Sequence, residues 1–326
     1  MTKDKSDRPG CTNLECKAKE GGINPDTGRP YLVGWGTQWK CTLCGTKQEK
    51  FKRESLIDNS DLERYVHEPR LNGDYLVLFD PHYPLHHTQC HEYAMGMCRK
   101  WNITKCVIGG DALDLDCFKN YPDHHPDVAS WKVEKTLLRF PLEWLATEFK
   151  RVDLILGNHE LRMWKRLLGK GDQEDVFDLV LADLKPSLRR RVKYYIYPVA
   201  IINNSWIIDH PNMTSVIQGR VPERLSAKYM VKHVMQLVKN GVQPQNEQLG
   251  YISGHGHMGG EGQDISGEFQ IADGMVTCDP DLFGYHKLKR SARPEWRVGF
   301  NIIRNNYLYR FPLKNTDWKF WLNGGS

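Results

Sequence analysis

The sequence has no long apolar run and no strong excess of charge of either sign. No stretch approaches the roughly 20 consecutive apolar residues that a membrane-spanning helix needs. The net charge is only +5 at pH 7, so the composition permits a polyanionic partner without requiring one. The first residues are charged and no apolar segment follows them. We therefore expect no secretory signal peptide, no membrane attachment and a cytoplasmic location.

The composition also lacks the signs of a disordered chain. The 326 residues are 40% hydrophobic and 11% aromatic, which is ordinary for a globular protein. This length leaves room for one large core and a small additional unit. In a reducing compartment, cysteines are more often thiols or metal ligands than disulfides. We expect the five cysteines without metal-ligand spacing to be small buried side chains, and these are Cys90, Cys98, Cys106, Cys117 and Cys278.

Four cysteines near the start of the chain are spaced like the ligands of a structural zinc ion. Cys11 and Cys16 form one pair, and Cys41 and Cys44 form the other. Two such pairs are typical of a four-thiolate zinc site, and the surrounding segment has few aliphatic residues with which to fold unaided. We predict a zinc-ribbon-like module over residues 1–55 that binds one structural Zn²⁺. Four unrelated free thiols are the alternative interpretation.

Aromatic and basic residues are interspersed in this module, a composition that suits a nucleic-acid surface. A small apolar core with a solvated basic rim is an equally open interpretation. Residues 56–73 are predicted to be a linker, because they offer little more than one short helical pattern and a turn. A single large domain is predicted over residues 74–326.

The rest of the chain alternates between strand-like and helix-like segments. Residues 75–79, 104–108 and 152–156 are short apolar runs typical of buried strands, and helical patterns separate them. Such alternation predicts a largely parallel sheet flanked by helices. One of these helices, over about residues 128–149, contains Pro141. We expect that helix to be interrupted, or to start afresh, near the proline.

Polar residues stand where the predicted strands end. Asp80 and His82 follow the first strand, and Asp111 follows the second. Asn158 and His159 follow the third. Three further histidines follow later apolar runs, and these are His210, His255 and His257. Open α/β sheets place their ligands at the carboxyl ends of strands, and all of these side chains carry oxygen or imidazole donor atoms. They are therefore candidates for a shared metal centre.

Taken together, these motifs resemble the calcineurin-like metallophosphoesterase superfamily. The family pattern is D-x-H, G-D, G-N-H-D/E, a lone H and G-H-x-H, and every element is present between about residues 74 and 312. The stretch from Gly110 to Glu160 is most similar to phage and bacterial members that are often described as DNA repair exonucleases. It is less similar to the protein phosphatases, which carry an Arg soon after the second motif, where Leu115 follows Asp114 here.

The resemblance implies a four-layer α/β/β/α fold and metal-assisted hydrolysis of a phosphoester by two divalent ions. It implies that Asp111 bridges the two ions. The other ligands of one ion would be Asp80, His82 and His257, and those of the second would be Asn158, His210 and His255. His159 would be the catalytic residue that faces the substrate, where it protonates the leaving group or steadies the developing charge.

The chemistry of the predicted ligands limits the candidate active-site metals to a few divalent ions but does not identify one. Mixed oxygen and nitrogen ligands suit Mn²⁺, Fe²⁺, Zn²⁺ or Ni²⁺, and Mn²⁺ is the ion that the resemblance to nuclease-like members suggests. Asp114 or Glu160 is expected to hold an imidazole through its second ring nitrogen. Arg162, Lys165 and Arg166 on the following helix either contact a phosphate backbone or form a solvated helix face.

We predict a dinuclear-metal phosphoester hydrolase and favour a nuclease that acts on DNA or RNA, because the cysteine module and the mild basic charge suit a polyanionic substrate. One alternative is a phosphatase or phosphodiesterase that acts on phosphoproteins, nucleotides or small phosphoesters. A second is a non-catalytic nucleic-acid-binding protein, against which the complete set of ligands argues. The expected location is the cytoplasm, which would be that of a host cell if a phage encodes the chain.

Overall fold

The chain divides into two compact units, Met1–Val66 and His67–Ser326. The structure, a computed structural model, describes residues 68–118, 130–166, 173–215, 217–226, 229, 249–264, 267, 269–283 and 296–324, together with three short strands of the first unit. Among the described residues, no helix combines the length and the apolar character that a membrane span requires.

The described part of the first unit is a three-stranded antiparallel sheet. Strands β1 (Leu32–Trp35), β2 (Gln38–Cys41) and β3 (Lys47–Glu49) are neighbours in sequence and in the sheet. Cys41, at the end of β2, is fully buried. The other three predicted zinc ligands lie outside the described residues, and these are Cys11, Cys16 and Cys44. The four-cysteine zinc site therefore stays a prediction.

The described part of the second unit contains two six-stranded sheets and several helices. The strands are β4 (Arg70–Leu71), β5 (Tyr75–Leu78), β6 (Lys105–Ile108), β7 (Arg151–Ile155), β8 (Val192–Tyr195), β9 (Val199–Ile202), β10 (Trp206–Asp209), β11 (Leu249–Ser253), β12 (Glu261–Gln263), β13 (Phe269–Asp273), β14 (Gly299–Arg304) and β15 (Tyr307–Pro312). The helices are α1 (Thr88–Trp101), α2 (Trp131–Glu148), α3 (Glu160–Arg166), α4 (Gln173–Leu181) and α5 (Pro186–Arg189). Shorter helical segments lie at Asp116–Phe118, Pro280–Leu282, Phe320–Gly324 and residues 220–226.

The order of the strands places the carboxyl ends of several strands next to one another. The first sheet has the order β15-β14-β5-β6-β7-β8, in which β5 to β8 are parallel and β14 and β15 are antiparallel. The second has the order β12-β13-β11-β10-β9-β4, in which β10, β11 and β13 are parallel. Parallel neighbours end at the same edge of a sheet, so the residues that follow β5, β6 and β7 are brought together, as are those that follow β10 and β11.

Alternate residues of the buried strands face opposite sides of each sheet, and this alternation produces four layers. Val77 of β5 and Ile208 of β10 belong to one apolar core between the two sheets. Leu76 of β5 faces the other way, into a core that it shares with residues of α1 and α2. On the far side of the second sheet, Ile207 packs in a cluster that includes Leu225 of the helical segment after β10. The predicted α/β/β/α arrangement is confirmed.

Helix α2 does not break at its proline, so the expectation of an interruption is wrong. The helix runs without a gap from Trp131 to Glu148, with Pro141 inside it. The missing N–H of Pro141 removes the helical partner of the Leu137 carbonyl, but Leu137 lies on the solvent side with 43% of its side chain exposed. Water can satisfy a carbonyl there, while the buried Pro141 ring packs on the core side and keeps the helix attached.

Strand β4 lies inside the segment that the sequence predicted as a linker. Arg70 and Leu71 pair in parallel with β9, and the Leu71 side chain is buried. The second sheet therefore starts before residue 74, because even two residues can add to an open sheet edge when one of them contributes to the core. Residues 56–67 of the predicted linker lie outside the described residues.

The cysteines of the second unit largely behave as predicted. Cys90, Cys98, Cys106 and Cys278 are buried thiols. Cys117 differs, since it is only partly buried and its sulfur lies 3.8 Å from Oε2 of Glu134. Partial burial and the adjacent Glu134 carboxylate raise the pKa of Cys117 to about 12, so this thiol stays protonated at neutral pH.

Candidate active site

The predicted site residues lie at the carboxyl ends of strands from both sheets. The first sheet supplies the residues after β5, β6 and β7, which are Asp80, His82, Asp111, Asn158 and His159. The second sheet supplies those after β10 and β11, which are His210, His255 and His257. No single strand could present this set, so the site exists only where the two sheets meet.

Two groups of donor atoms that share Asp80 are close enough to hold metal ions, and a third group within the described residues consists of His82, Asp114 and His159. In each group the ligand atoms lie within 4.8 Å of one another. The first group consists of Asp80, Asp111, His210 and His255, and the second consists of Asp80, His82 and His257. Asp80 thus belongs to both groups, whereas Asp111, to which the family resemblance gives the bridging role, belongs to one. That bridging role stays a prediction.

Short contacts between carboxylates and imidazoles define the centre of the site. Nε2 of His257 lies 3.1 Å from Oδ1 of Asp80, and Nε2 of His210 lies 3.2 Å from Oδ2 of Asp111. The side-chain oxygen of Asn158 lies 3.3 Å from the same His210 nitrogen. The predicted ligands of both ions therefore face one shared space.

Several of these buried donor atoms make no hydrogen bond of acceptable geometry within the described part of the chain, even where a carboxylate and an imidazole lie close together. They are Oδ1 of Asp80, both ring nitrogens of His82 and Nε2 of His257. A buried polar group without a partner costs roughly 1–3 kcal/mol, and more if it is charged. Cations held by Oδ1 of Asp80, Nε2 of His257 and one ring nitrogen of His82 would satisfy these atoms, so the donor set fits divalent metal ions.

The backbone at the site is strained in the same way at five positions. Residues with positive φ are Asp80 (49°), His82 (46°), Asp111 (46°), His255 (64°) and His257 (62°). Non-glycine residues rarely adopt this region, and each instance costs on the order of 1–3 kcal/mol. Such strain is typical of functional sites, where the fold holds side chains in a fixed direction.

The loop after β6 holds the His210 ring on the side away from Asp111. Its Nδ1 donates to the Gly109 carbonyl across 2.9 Å, which leaves Nε2 free to face Asp111. Gly110 has φ of 91°, and a Cβ there would lie 2.3 Å from the His210 ring, so only glycine permits this approach. Burial opposes the charged form of His210, but the carboxylates of Asp111 and Asp80 raise its pKa to about 10. The site therefore carries the negative potential that attracts cations.

Asp114 stands behind two of the site histidines. Its Oδ1 lies 3.4 Å from Nδ1 of His82 and 3.7 Å from Nδ1 of His159. Its backbone carbonyl accepts a hydrogen bond from the same His159 nitrogen. These contacts agree with the expectation that Asp114 steadies an imidazole from the side away from the metal.

Glu160 has a different role from the one expected of it. Its two carboxylate oxygens accept hydrogen bonds from backbone amides, Oε1 from Leu113 across 2.9 Å and Oε2 from Gly157 across 2.8 Å. It therefore ties the loop after β6 to the loop after β7 and holds no imidazole. Burial and the nearby Asp111 carboxylate raise the pKa of Glu160 to about 7.

His159 lies between the Asp111 carboxylate and a guanidinium group. Its backbone N–H donates to Oδ1 of Asp111 across 2.8 Å, and its Nε2 lies 3.6 Å from Oδ2 of the same residue. Nη2 of Arg162 lies 2.5 Å from that Nε2. From the sequence, the role of Arg162 is open between a phosphate contact and a solvated helix face. In the structure Arg162 lies against His159, three residues earlier in the chain, whereas Lys165 and Arg166 are exposed. The three-residue spacing between His159 and Arg162 is the signal that the sequence offers.

Comparison with known proteins gives only distant structural similarity. No protein-family model matches the chain, and no curated protein matches it. A solved structure of Yfce, a phosphoesterase from E. coli, is 12% identical, and the match covers 74% of this chain and 94% of that chain with a TM-score of 0.34. A conserved uncharacterized protein from Streptococcus pneumoniae TIGR4, described as a predicted phosphoesterase, is 9% identical, and the match covers 74% of this chain and 97% of that chain with a TM-score of 0.24. At these TM-scores the similarities establish nothing about the activity of this chain.

Proposed function

We propose that this protein is a metal-dependent phosphoester hydrolase with a dinuclear metal site. The observation that supports the proposal most strongly is the pair of Asp and His groups whose ligand atoms lie within 4.8 Å of one another. Their buried atoms without partners have the oxygen and nitrogen chemistry of a divalent-metal site.

Each residue of the site has a place in this proposal. One ion would be held by Asp80, His82 and His257, and the other by Asn158, His210 and His255. Asp111 would bridge them. Two divalent ions in such a site act as Lewis acids that lower the pKa of water and neutralise charge on phosphoryl oxygens. Mn²⁺ is the proposed ion, and Fe²⁺, Zn²⁺ and Ni²⁺ suit the same donors.

His159 acts on the leaving group at its Nε2 atom. The Asp114 carbonyl accepts from Nδ1 and fixes the ring, so Nε2 is the atom that faces Asp111 and the shared space. We expect His159→Gln to bind both metals but to turn over about 10²–10⁴-fold more slowly, which is the usual contribution of proton transfer by a positioned side chain. Metal content by mass spectrometry and kcat on a chromogenic ester test this. Loss of metal in the variant would instead make His159 a ligand.

Nucleic acid is the proposed substrate class. Helix α3 starts at the site and carries the exposed basic residues Lys165 and Arg166 in its last turn. A net charge of +5 and the predicted zinc module favour a polyanion as well. A small-ester phosphatase and a non-catalytic nucleic-acid-binding protein are the competing functions.

A direct test is hydrolysis by the full chain reconstituted with Mn²⁺, with an EDTA-treated sample as control. Labelled single- and double-stranded DNA and RNA are incubated beside a chromogenic phosphodiester and a chromogenic monoester. We expect nucleic-acid cleavage that EDTA abolishes. Cleavage of the small esters alone would keep the catalytic proposal and discard the nuclease. DNA binding without cleavage of any substrate would support the non-catalytic alternative and overturn the proposal.

A further inference from the structure

Arg162 is a fixed cation beside the candidate catalytic histidine. It lies in the first turn of α3, and 22% of its side chain is exposed. Nη1 donates to the carbonyl of Asp114 across 3.1 Å and to Oδ1 of Asp116 across 3.0 Å. These two acceptors hold the guanidinium in one place, whereas a solvated helix face would leave it free to move.

The guanidinium is directed towards the metal-binding residues. Nη2 reaches Nε2 of His159, and that same nitrogen lies 3.6 Å from Oδ2 of Asp111. His159 places its Nδ1 against a carbonyl oxygen, which only accepts, so Nδ1 carries the ring hydrogen and Nε2 accepts from Arg162. Arg162 therefore reaches the side of the site at which a substrate would approach His159.

The guanidinium also keeps unused donor capacity. It has five N–H groups, and three hydrogen bonds to side-chain or backbone acceptors are present within the described residues. The other two N–H groups make none of these hydrogen bonds. A planar fork of donors that is already anchored matches the geometry of phosphate oxygens and loses little side-chain entropy when it binds them.

We propose that Arg162 is the phosphate-binding residue of this site and that it contacts a non-bridging oxygen of the phosphoryl group. This inference rests on the proposed phosphoester hydrolase. When the ester binds, its oxygen replaces Nε2 of His159 as the acceptor of the Nη2 hydrogen. That exchange frees the lone pair of Nε2 of His159, which takes a proton from water and then delivers it to the leaving oxygen. Asp116 holds Arg162 in position through the contact to Nη1.

The test compares the binding of inorganic phosphate with turnover in three variants of the full, metal-reconstituted chain. Arg162→Gln removes the charge, Arg162→Lys keeps the charge without the fork, and Arg139→Gln is the matched control. Arg139 lies on α2, is exposed and donates from Nε to Oε1 of Glu143 across 2.9 Å. Isothermal titration calorimetry measures the phosphate dissociation constant, mass spectrometry measures metal content, and a chromogenic monoester reports KM and kcat.

We expect Arg162→Gln to weaken phosphate binding about 10–100-fold, the range for one hydrogen bond to a charged group, with metal content unchanged. Arg162→Lys should fall between Arg162→Gln and the unaltered chain, and Arg139→Gln should stay within about twofold of the unaltered chain, because exposed charges contribute little. Unaltered phosphate affinity in Arg162→Gln, equal weakening in Arg139→Gln, or loss of metal from Arg162→Gln would each overturn the inference.

The two proposals fail in different ways. If the unaltered chain hydrolyses no ester, the hydrolase proposal is wrong, and the calorimetric comparison still decides whether Arg162 binds phosphate. If the unaltered chain hydrolyses the ester while Arg162→Gln has the same phosphate affinity, KM and kcat, the hydrolase stands and Arg162 has no part in binding.

Discussion

Asp111→Asn is expected to lower turnover by at least about a thousandfold. An amide cannot supply the negative charge that Oδ2 places 3.2 Å from Nε2 of His210 at the centre of the site. Charge stabilisation by bound metal contributes several kcal/mol to such reactions, and each 1.36 kcal/mol is about tenfold in rate. The amide oxygen can still accept from the His159 backbone as Oδ1 does now, so the fold should survive. Activity near that of the unaltered chain would contradict the site assignment.

Metal content in Asp111→Asn and Asp80→Asn decides which carboxylate bridges. Both side chains are essentially fully buried, and both are acidic, which makes them a matched pair. If Asp111 bridges, Asp111→Asn should lose both ions, and Asp80→Asn should keep one. The structure is also compatible with a bridging Asp80, because Asp80 belongs to both donor groups that consist of predicted ligands. If only Asp80→Asn loses both ions, Asp80 rather than Asp111 is the bridging ligand.

Gly157→Ala is expected to lower both turnover and stability. A Cβ at Gly157 would lie 2.1 Å from the backbone nitrogen of Asp111, 2.2 Å from its Oδ1 and 2.8 Å from Oε2 of Glu160. None of these atoms belongs to a flexible side-chain end that can move aside freely, so the loops after β6 and β7 must separate. A shift of about 1 Å at a catalytic site can cost about 10²-fold in rate, and overpacking typically costs about 1–3 kcal/mol of stability.

The matched control for this substitution is Gly262→Ala in strand β12. A Cβ at Gly262 would have nothing within 4 Å. We expect its turnover to equal that of the unaltered chain and its stability to change by less than about 1 kcal/mol. Turnover on a chromogenic ester and urea unfolding measure both effects. If Gly157→Ala matches Gly262→Ala in both assays, the close packing of Gly157 against Asp111 is not required.

Local sequence pattern was enough to predict the strands that position the site. The apolar runs at residues 75–79, 104–108 and 152–156 all coincide with strands, because short apolar runs separated by helical patterns are typical of strands in a covered sheet. The effect of Pro141 on its helix was predicted wrongly. The free-energy cost of its missing N–H depends on whether the carbonyl that loses its partner faces solvent or the core. That information comes from packing and is absent from local propensity.

The roles of acidic residues around the site could not be predicted individually. Asp114 and Glu160 both follow motif residues closely and carry the same functional group. In the structure Asp114 lies against the imidazoles of His82 and His159, and Glu160 accepts from two backbone amides. The difference arises from the orientation of the two loops, and that orientation is set by contacts between residues far apart in the chain.

The sequence by itself determined the set of donor atoms and the order in which strands deliver them, because ligand chemistry and strand pattern are both local properties. Tertiary structure decided which donors lie close enough to hold one ion, since the groups that contain Asp80 combine residues from two different sheets. It also decided that Arg162 faces His159, because the carbonyl of Asp114 and the carboxylate of Asp116 anchor it from another loop. Pairing of β6 with β7 brings that loop beside α3, and packing of the two sheets brings together the groups that contain Asp80. No pattern within a single loop encodes either contact.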